Sequence, residues 1–317
     1  MRERRAVIDI GTNSIKLLVA DVIDGKVEPV LEDSEQTRLG AGFYETHQLQ
    51  PKAIAETAEA VAGFVRKAGE LQTVSTRVIA TSAARDALNP TDLTGAIEKA
   101  SGLKVEIISG EQEADWAFQG VTSDPELAHQ PLLLLDVGGG SAEFILGQGE
   151  QKHFRESFQL GTVRLLEKLP HSDPPTAKEL AECRNWVKEF LEKEVRTKLG
   201  PALKKETKLD SERRPVQLVG TGGTTTILAR MEAQLDSFDR ERIEATRLSL
   251  EQIRAHTQKL WSQTLTERKT IIGLPKKRAD VILPGVVIYE GIMEAFGFGE
   301  LRISTRGLRF AAVMAGR

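Results

Sequence analysis

Two segments of the chain share one pattern, in which an aspartate is followed by a glycine-containing turn, a serine and an apolar run. The segments are DIGTNSIKLLVA at positions 9–20 and DVGGGSAEFILG at positions 136–147, so the repeat is offset by 127 positions. Solenoid repeats recur roughly every 20–50 residues, which is far shorter than this offset. In a chain of 317 residues, the offset indicates two related domains. Two such turns facing each other across an interdomain cleft would be suited to hold a ligand, since clefts between domains commonly bind one.

The second copy also indicates what kind of ligand would bind. LLLLDVGGGSAEFILG at positions 132–147 predicts a strand, a tight turn and a second strand. Its glycines leave the N–H groups of the turn unobstructed, and a row of such groups forms a concavity that binds anions. Asp136 would repel a bare phosphate there, so the pattern favours a phosphate bound together with Mg²⁺. A glycine-rich hairpin without a ligand is the alternative that the motif alone leaves open.

Composition excludes several classes of protein. A net charge of −3 gives no overall attraction to nucleic acid or to an anionic membrane, so local fields must capture any polyanion. The single cysteine, Cys183, excludes an internal disulfide and a cysteine-based zinc site. The absence of disulfides is typical of proteins in the reducing cytoplasm. The first residues contain no apolar stretch of the kind found in secretory signals, and no window approaches the length of a membrane span.

Three further segments contain candidates for binding an anion. The irregular segment 35–49 either forms a surface loop or brings Arg38 over a ligand. Arg85 is expected near the start of a helix that follows a strand at 76–80, where an anionic ligand would offset its poor placement for the helix dipole. Solvation of the Arg85 side chain is the alternative. VQLVGTGGTTTILARM predicts a strand, a glycine-rich turn and a helix whose N-terminus could bind phosphate. The candidate contacts there are Gly220, Gly222, Gly223 and Thr224.

A strand at 105–109 precedes a helix whose first turn is rich in carboxylates. Ser109 is expected to cap this helix, with Gln112 three residues on as in a capping box. Carboxylates in a first turn usually serve the helix dipole, so position alone does not make Glu113 a catalytic base.

The remaining segments predict mostly helices. These are expected from Pro51 to Ala68, from Thr176 to Lys198, at 249–262 and at 278–296, and a polar loop is expected at 204–215. The chain closes with a strand, a turn and a helix.

Five motifs occur in one order along the chain: DIGTNS, ATSAARDA, ISGEQEA, DVGGGSAE and GTGGTT. Together they closely resemble the exopolyphosphatase and guanosine pentaphosphate phosphohydrolase (Ppx/GppA) family of the actin-like ATPase superfamily. The resemblance implies an α/β fold with two ribonuclease-H-like domains around an interdomain cleft. It implies that residues 1–122 form the first domain, joined by a C-terminal helix at about 305–317, and that residues 123–304 form the second.

The resemblance also implies an activity and its alternatives. We expect hydrolysis of the terminal phosphoanhydride bond of inorganic polyphosphate with Mg²⁺, by a cytoplasmic homodimer with no nucleic-acid or membrane partner. The first alternative is removal of the 5′-terminal phosphate of guanosine pentaphosphate. An ATP-dependent kinase of the same superfamily and a regulator that binds these polyanions without turnover are further alternatives.

Residues are carried over from the family motif by motif. The resemblance places the catalytic glutamate at Glu113, with Arg85 as a second catalytic residue. The acidic residues expected to hold the metal, directly or through its waters, are Asp9, Asp136 and Glu143. The expected phosphate contacts, besides Arg85, are Gly11, Thr12, Asn13, Ser14, Lys16, Arg38, Gly138, Gly139, Gly140, Ser141, Gly220, Gly222, Gly223 and Thr224.

Overall fold

A computed structural model describes residues 2–208 and 215–315. By their internal contacts, these residues divide into a first unit of 2–123 with 306–315 and a second unit of 124–305 without 209–214. Each unit has its own sheet and its own buried core. Within the described ranges, no helix combines the length and the hydropathy that crossing a membrane requires.

The first unit contains a five-stranded sheet. Its strands are β1 (Arg2–Ile10), β2 (Ile15–Ile23), β3 (Lys26–Glu35), β4 (Ser75–Ala80) and β5 (Val105–Ile107). Their order is β3-β2-β1-β4-β5, with the first three antiparallel and β1, β4 and β5 parallel. The helices are α1 (Phe43–Thr46), α2 (Pro51–Glu70), α3 (Ser82–Asp86), α4 (Pro90–Ser101), α5 (Gly110–Thr122) and the C-terminal helix (Leu308–Met314).

The second unit contains a six-stranded sheet. Its strands are β6 (Leu132–Val137), β7 (Ala142–Gln148), β8 (Gln151–Phe158), β9 (Gln217–Thr221), β10 (Arg247–Ser249) and β11 (Glu300–Ile303). Its helical segments are α6 (Thr162–Lys168), α7 (Ala177–Phe190), a π-helical turn (Leu191–Val195), α8 (Arg196–Lys208), α9 (Gly223–Glu232), α10 (Arg240–Ala245), α11 (Leu250–Trp261), α12 (Leu265–Arg268), a 3₁₀ turn (Lys276–Arg278) and α13 (Ile282–Phe296).

The two sheets share one topology. The order β8-β7-β6-β9-β11 in the second unit repeats β3-β2-β1-β4-β5 in the first, with the same strand directions, and β10 adds an antiparallel edge. This duplication of an α/β unit confirms the fold class that the repeated motif and the family resemblance predicted.

Alternation along the strands explains why helices cover both faces of the first sheet. On β1, Ala6 and Ile8 pack in a cluster with α2 and α4, whereas Val7 between them packs in a second cluster with the C-terminal helix. Successive side chains of a strand point to opposite faces, so each apolar face needs its own cover.

The expected helix from Thr176 is longer in the structure. Thr176 and Glu179 form a capping box at its start, and the helical run continues without a break to Lys208. The loop expected at 204–215 is therefore wrong for 204–208, and 209–214 lie outside the described residues. Leu199 is buried and Leu203 packs against the same core, so the apolar spacing that sustains a helix continues past position 198.

The C-terminal helix is fastened to the first unit by close backbone approach. An ideal Cβ on Gly120 of α5 would lie 2.0 Å from the carbonyl oxygen of Gly307, the residue that precedes the helix. Arg309 donates to the Leu17 carbonyl oxygen at 2.9 Å, and Arg5 donates to the Met314 carbonyl oxygen at 3.2 Å.

Replacing Gly120 by alanine is expected to lower the free energy of unfolding by about 1–3 kcal/mol, because the added methyl group overpacks this contact. Gly95 in α4 is the matched control, since its ideal Cβ would meet nothing within 4 Å and alanine there should stabilise the helix by about 0.5–1 kcal/mol. Urea denaturation of both variants checks the prediction. Equal stability of the two would mean that α5 and the C-terminal helix separate readily.

Candidate functional site

The two hairpin loops that contain the repeated motif have the same backbone geometry. Strand pairing ends at Ile10 and Ile15 in the first unit and at Val137 and Ala142 in the second. The first hairpin loop is therefore residues 11–14 and the second hairpin loop is residues 138–141. The N–H of the first residue in each loop donates to the carbonyl oxygen of the fourth, at 3.0 Å and 2.9 Å respectively.

In the first hairpin loop, a following segment holds the carbonyl groups. Gly40 N–H donates to Thr12 O at 2.7 Å, and Arg38 N–H donates to Asn13 O at 3.0 Å. The C=O and N–H of a trans peptide point in opposite directions, so the N–H groups of Asn13 and Ser14 point away from that segment. Neither N–H donates to a backbone carbonyl within the described residues. The loop thus presents a row of N–H groups that suits an anion.

Several polar side-chain atoms around the first hairpin loop are also available to hydrogen-bond a ligand. Six such atoms are buried and have no hydrogen-bond partner among residues 2–208 and 215–315. They are Asp9 Oδ1, Asn13 Nδ2, Ser14 Oγ, Gln36 Oε1, Thr37 Oγ1 and Ser82 Oγ. A buried polar atom without a partner costs free energy, so a cluster of them indicates a place where a polar ligand binds. None of Gln36, Thr37 and Ser82 was identified from the sequence as a side chain at this loop.

Asp9 carries the clearest electrostatic signal in the first unit. Burial raises the pKa of Asp9, and the positive charges of Lys16 and Arg309 oppose that rise. Lys16 lies directly opposite Asp9 in the β1–β2 pairing. A buried carboxylate oxygen with no protein partner is a suitable ligand for a divalent cation or one of its waters.

In the second unit, two carboxylates face each other. Asp136 and Glu143 are directly opposite in the β6–β7 pairing, and Glu143 is buried, with Ser157 Oγ donating to its Oε1 at 2.6 Å. Like charges opposite each other in a sheet are destabilising, and a cation would offset this repulsion. In the parts of the chain that the structure describes, no three histidine, cysteine or acidic side chains form a metal cage. Mg²⁺ needs none, because one or two carboxylates, waters and substrate phosphates usually bind it.

The glycine-rich turn before α9 lies beside Asp136. Gly222 has a φ of +94°, and an ideal Cβ on it would lie 2.6 Å from Asp136 Oδ1. Only glycine therefore lets α9 begin this close to the carboxylate. The guanidinium of Arg278 lies 3.8 Å from the ideal Cβ position of Gly223, so a cation from the 3₁₀ turn stands near the same helix N-terminus. No sequence pattern predicted that contact.

Tyr289 of α13 lies beneath this turn. Its hydroxyl is 3.4 Å from the carbonyl oxygen of Thr221 and 3.5 Å from that of Leu135. Burial raises the pKa of Tyr289, and the negative charge of Asp136 raises it further, so the phenol stays neutral. Tyr289 is therefore a buried, neutral side chain that hydrogen-bonds the strand containing Asp136.

The structure brings Arg85 and Glu113 together. Arg85 Nη1 lies 2.9 Å from Glu113 Oε2 and also donates to the Ile108 carbonyl oxygen at 3.2 Å. Ser109 Oγ accepts from Gln112 N–H at 3.1 Å, so the N-cap of α5 is confirmed. Parallel pairing of β4 with β5 places the starts of α3 and α5 side by side, which explains the contact. Arg85 thus fixes the position of the Glu113 carboxylate.

The remaining predicted site residues fall within one unit or the other. Arg38 has a positive φ of 49° and an exposed side chain, while its backbone N–H serves the first hairpin loop. Thr12, Asn13 and Ser14 are buried. In the second unit, Ser141 and Thr224 are buried. An ideal Cβ on Gly220 of β9 would lie within 3.2 Å of Thr225, Leu301 and Tyr289, so this position has little room for a side chain. The roles assigned to all of these residues stay predictions.

Asp9→Asn is expected to raise the free energy of unfolding near neutral pH in the presence of a metal chelator. Because burial raises the pKa of Asp9, the folded state holds this proton more tightly than the unfolded chain, and the protein loses stability as pH rises through the folded pKa. Below the unfolded value of roughly 3.9 the carboxyl is neutral in both states and the loss is absent. Urea denaturation from acidic to neutral pH should show a gain that grows with pH. A variant no more stable at neutral pH would mean that Lys16 and Arg309 fully compensate the burial.

Comparisons with known proteins give matches over nearly the whole chain. A sequence model described as the Ppx/GppA phosphatase family matches residues 18–313. Exopolyphosphatase 2 of Mycobacterium tuberculosis is 32% identical over 320 residues, which cover 95% of this chain and 94% of that protein.

Solved structures are similar over nearly the whole chain. An exopolyphosphatase from Cytophaga hutchinsonii has a TM-score of 0.84 at 27% identity, covering 98% of this chain and 96% of that one. The Ppx/GppA family member of Aquifex aeolicus has a TM-score of 0.77 at 28% identity, covering 99% and 97%.

Proposed function

This chain belongs to the Ppx/GppA phosphatase family, and from that premise we propose that it hydrolyses the terminal phosphoanhydride bond of inorganic polyphosphate with Mg²⁺. The observation that carries the proposal is the first hairpin loop, whose open N–H row is surrounded by buried polar atoms without partners. Two relatives that align over 95% and 98% of the chain are named exopolyphosphatases, which supports the choice of substrate. Residence in the cytoplasm and assembly as a homodimer belong to the same proposal and rest on the family resemblance.

Glu113 is proposed as the general base. Its carboxylate would accept a proton from a water molecule as the water oxygen attacks the terminal phosphorus and the bond to the bridging oxygen breaks. The bridging oxygen leaves with the shortened polyphosphate, and the attacking oxygen stays on the released orthophosphate. Arg85 supports this role by holding Oε2 of Glu113 at 2.9 Å, which orients the carboxylate.

The hairpin loops are proposed to bind the phosphoryl oxygens. Phosphoryl transfer depends on positioning and on neutralising the charge of the transferred group. Preorganised N–H donors can do this without reorganising during the reaction. Lys16, opposite Asp9, adds a positive charge near the first hairpin loop.

Asp9 of the first unit is proposed as a residue that holds Mg²⁺, directly or through its waters. Asp136 and Glu143 of the second unit are proposed for the same role. When bound, Mg²⁺ neutralises charge that develops on the phosphate oxygens. The support is the buried, unpartnered Oδ1 of Asp9 and the facing carboxylates of β6 and β7.

Glu113→Gln is expected to lower the rate of orthophosphate release by roughly 10²-fold or more, because the amide cannot accept the proton. Glu111→Gln is the matched control, since Glu111 is exposed on the same first turn of α5 and should leave the rate unchanged. Initial rates of phosphate release test the prediction, and a thermal melt of each variant checks that it is folded. Full turnover by the Glu113 variant would move the base elsewhere.

Substrate and metal are tested together by phosphate release from long-chain polyphosphate, short-chain polyphosphate and guanosine pentaphosphate. Each substrate is offered with Mg²⁺ and with chelator. We expect release from polyphosphate that needs Mg²⁺. Release from guanosine pentaphosphate alone would favour the second activity of the family. Binding without release from any of the three would indicate a regulator, and transfer of phosphate from ATP to an acceptor would indicate a kinase.

A further inference from the structure

Arg164 of α6 has a side-chain contact with the second hairpin loop. Its Nε donates to the Gly140 carbonyl oxygen at 2.9 Å, and its Nη1 lies 3.4 Å from Gln159 Oε1. The approach of α6 requires glycine at position 161, where an ideal Cβ would lie 2.4 Å from the Gly139 carbonyl oxygen. The start of α6 and the loop are thus in direct contact.

All three glycine carbonyls of this loop are held from the same side. Thr162 N–H donates to Gly138 O at 3.0 Å, and Val163 N–H donates to Gly139 O at 2.9 Å. Gly140 O is held by the Arg164 guanidinium. Since each peptide is planar and trans, these bonds direct the N–H groups of residues 139–141 away from α6.

The first hairpin loop shows what is unusual about Arg164. Asn13 occupies the position in that loop that Gly140 occupies in the second. Asn13 O accepts from a backbone N–H, that of Arg38, whereas Gly140 O accepts from a side chain. The two loops therefore fix the same peptide in two ways, and in the second a change of one side chain removes the donor.

We propose that Arg164 is a positioning residue whose Nε–H holds the Gly140–Ser141 peptide so that the Ser141 N–H faces a phosphoryl oxygen of the substrate. The proposal rests on the proposed phosphohydrolase function. A charged donor on the carbonyl also polarises the peptide, which strengthens its N–H as a donor. Arg164 acts through the loop, so its role requires a hydrogen-bond donor at the position of Nε.

Two substitutions separate this role from direct attraction of a polyanion by the arginine charge. Glutamine places an amide N–H₂ at the same distance along the side chain as arginine Nε and removes the charge. Methionine has a similar length but no donor. Lys168→Met removes a positive charge from the same helix at a side chain that lies over the Trp186 ring, and serves as the control.

We expect Arg164→Met to lower kcat/KM for short-chain polyphosphate about tenfold, the effect of losing one hydrogen bond that orients a transition-state donor. Arg164→Gln should recover most of that loss, and Lys168→Met should match the wild type. Equal impairment by Arg164→Gln and Arg164→Met would overturn the proposal in favour of a charge effect. Wild-type kinetics in both would overturn it outright.

A second measurement does not depend on turnover. In protein labelled with ¹⁵N-serine, the Ser141 amide resonance should shift when inorganic tripolyphosphate is added, and Arg164→Met should weaken that binding about tenfold while Arg164→Gln does not. Tripolyphosphate that shifts Ser141 without being hydrolysed by the wild type would contradict the proposed function but keep the role of Arg164. A Ser141 resonance that tripolyphosphate leaves unchanged in the wild type would contradict that role.

Discussion

A peptide held by its carbonyl oxygen must present its N–H in the opposite direction, and both hairpin loops depend on this constraint. The segment around Arg38 and Gly40 holds the first loop, and the start of α6 holds the second. Glycines at 40 and 161 allow the close approach, because a Cβ at either would overlap the loop it serves. The orientation of each hairpin loop thus depends less on its own glycine motif than on the second segment that hydrogen-bonds its carbonyl groups.

Duplication explains why the loops are alike, and the strand pairing explains why they differ. Asp9 faces Lys16, whereas the equivalent Asp136 faces Glu143. One hairpin therefore carries compensating charges and the other concentrates negative charge. The first hairpin places a positive side chain beside its acidic residue, and the second is suited to receive an anion together with a cation. A chain that binds a phosphate with Mg²⁺ can use both properties.

The sequence predicted the duplicated α/β units and the hairpins, because aspartate, glycine and apolar runs act locally. It missed features that depend on distant pairing. The contact of Arg85 with Glu113 follows from the parallel register of β4 and β5, and the burial of Thr37 follows from a loop docking on a hairpin. Strand β8 was missed since its QKHFRESF pattern is mostly polar, and α8 extends through a segment whose charges suggested a loop. No local sequence pattern predicts the hydrogen bond from Arg164 to the Gly140 carbonyl oxygen.

The place of the C-terminal helix determines the order in which the chain can be completed. Residues 2–123 are synthesised before the second unit, but the helix that covers one face of their sheet follows residue 305. The second unit is continuous in sequence from 124 to 305 and has all its strands before that helix is made. Because domains fold as units during synthesis, the second unit can finish first, while Val7 and its neighbours still lack the cover of that helix.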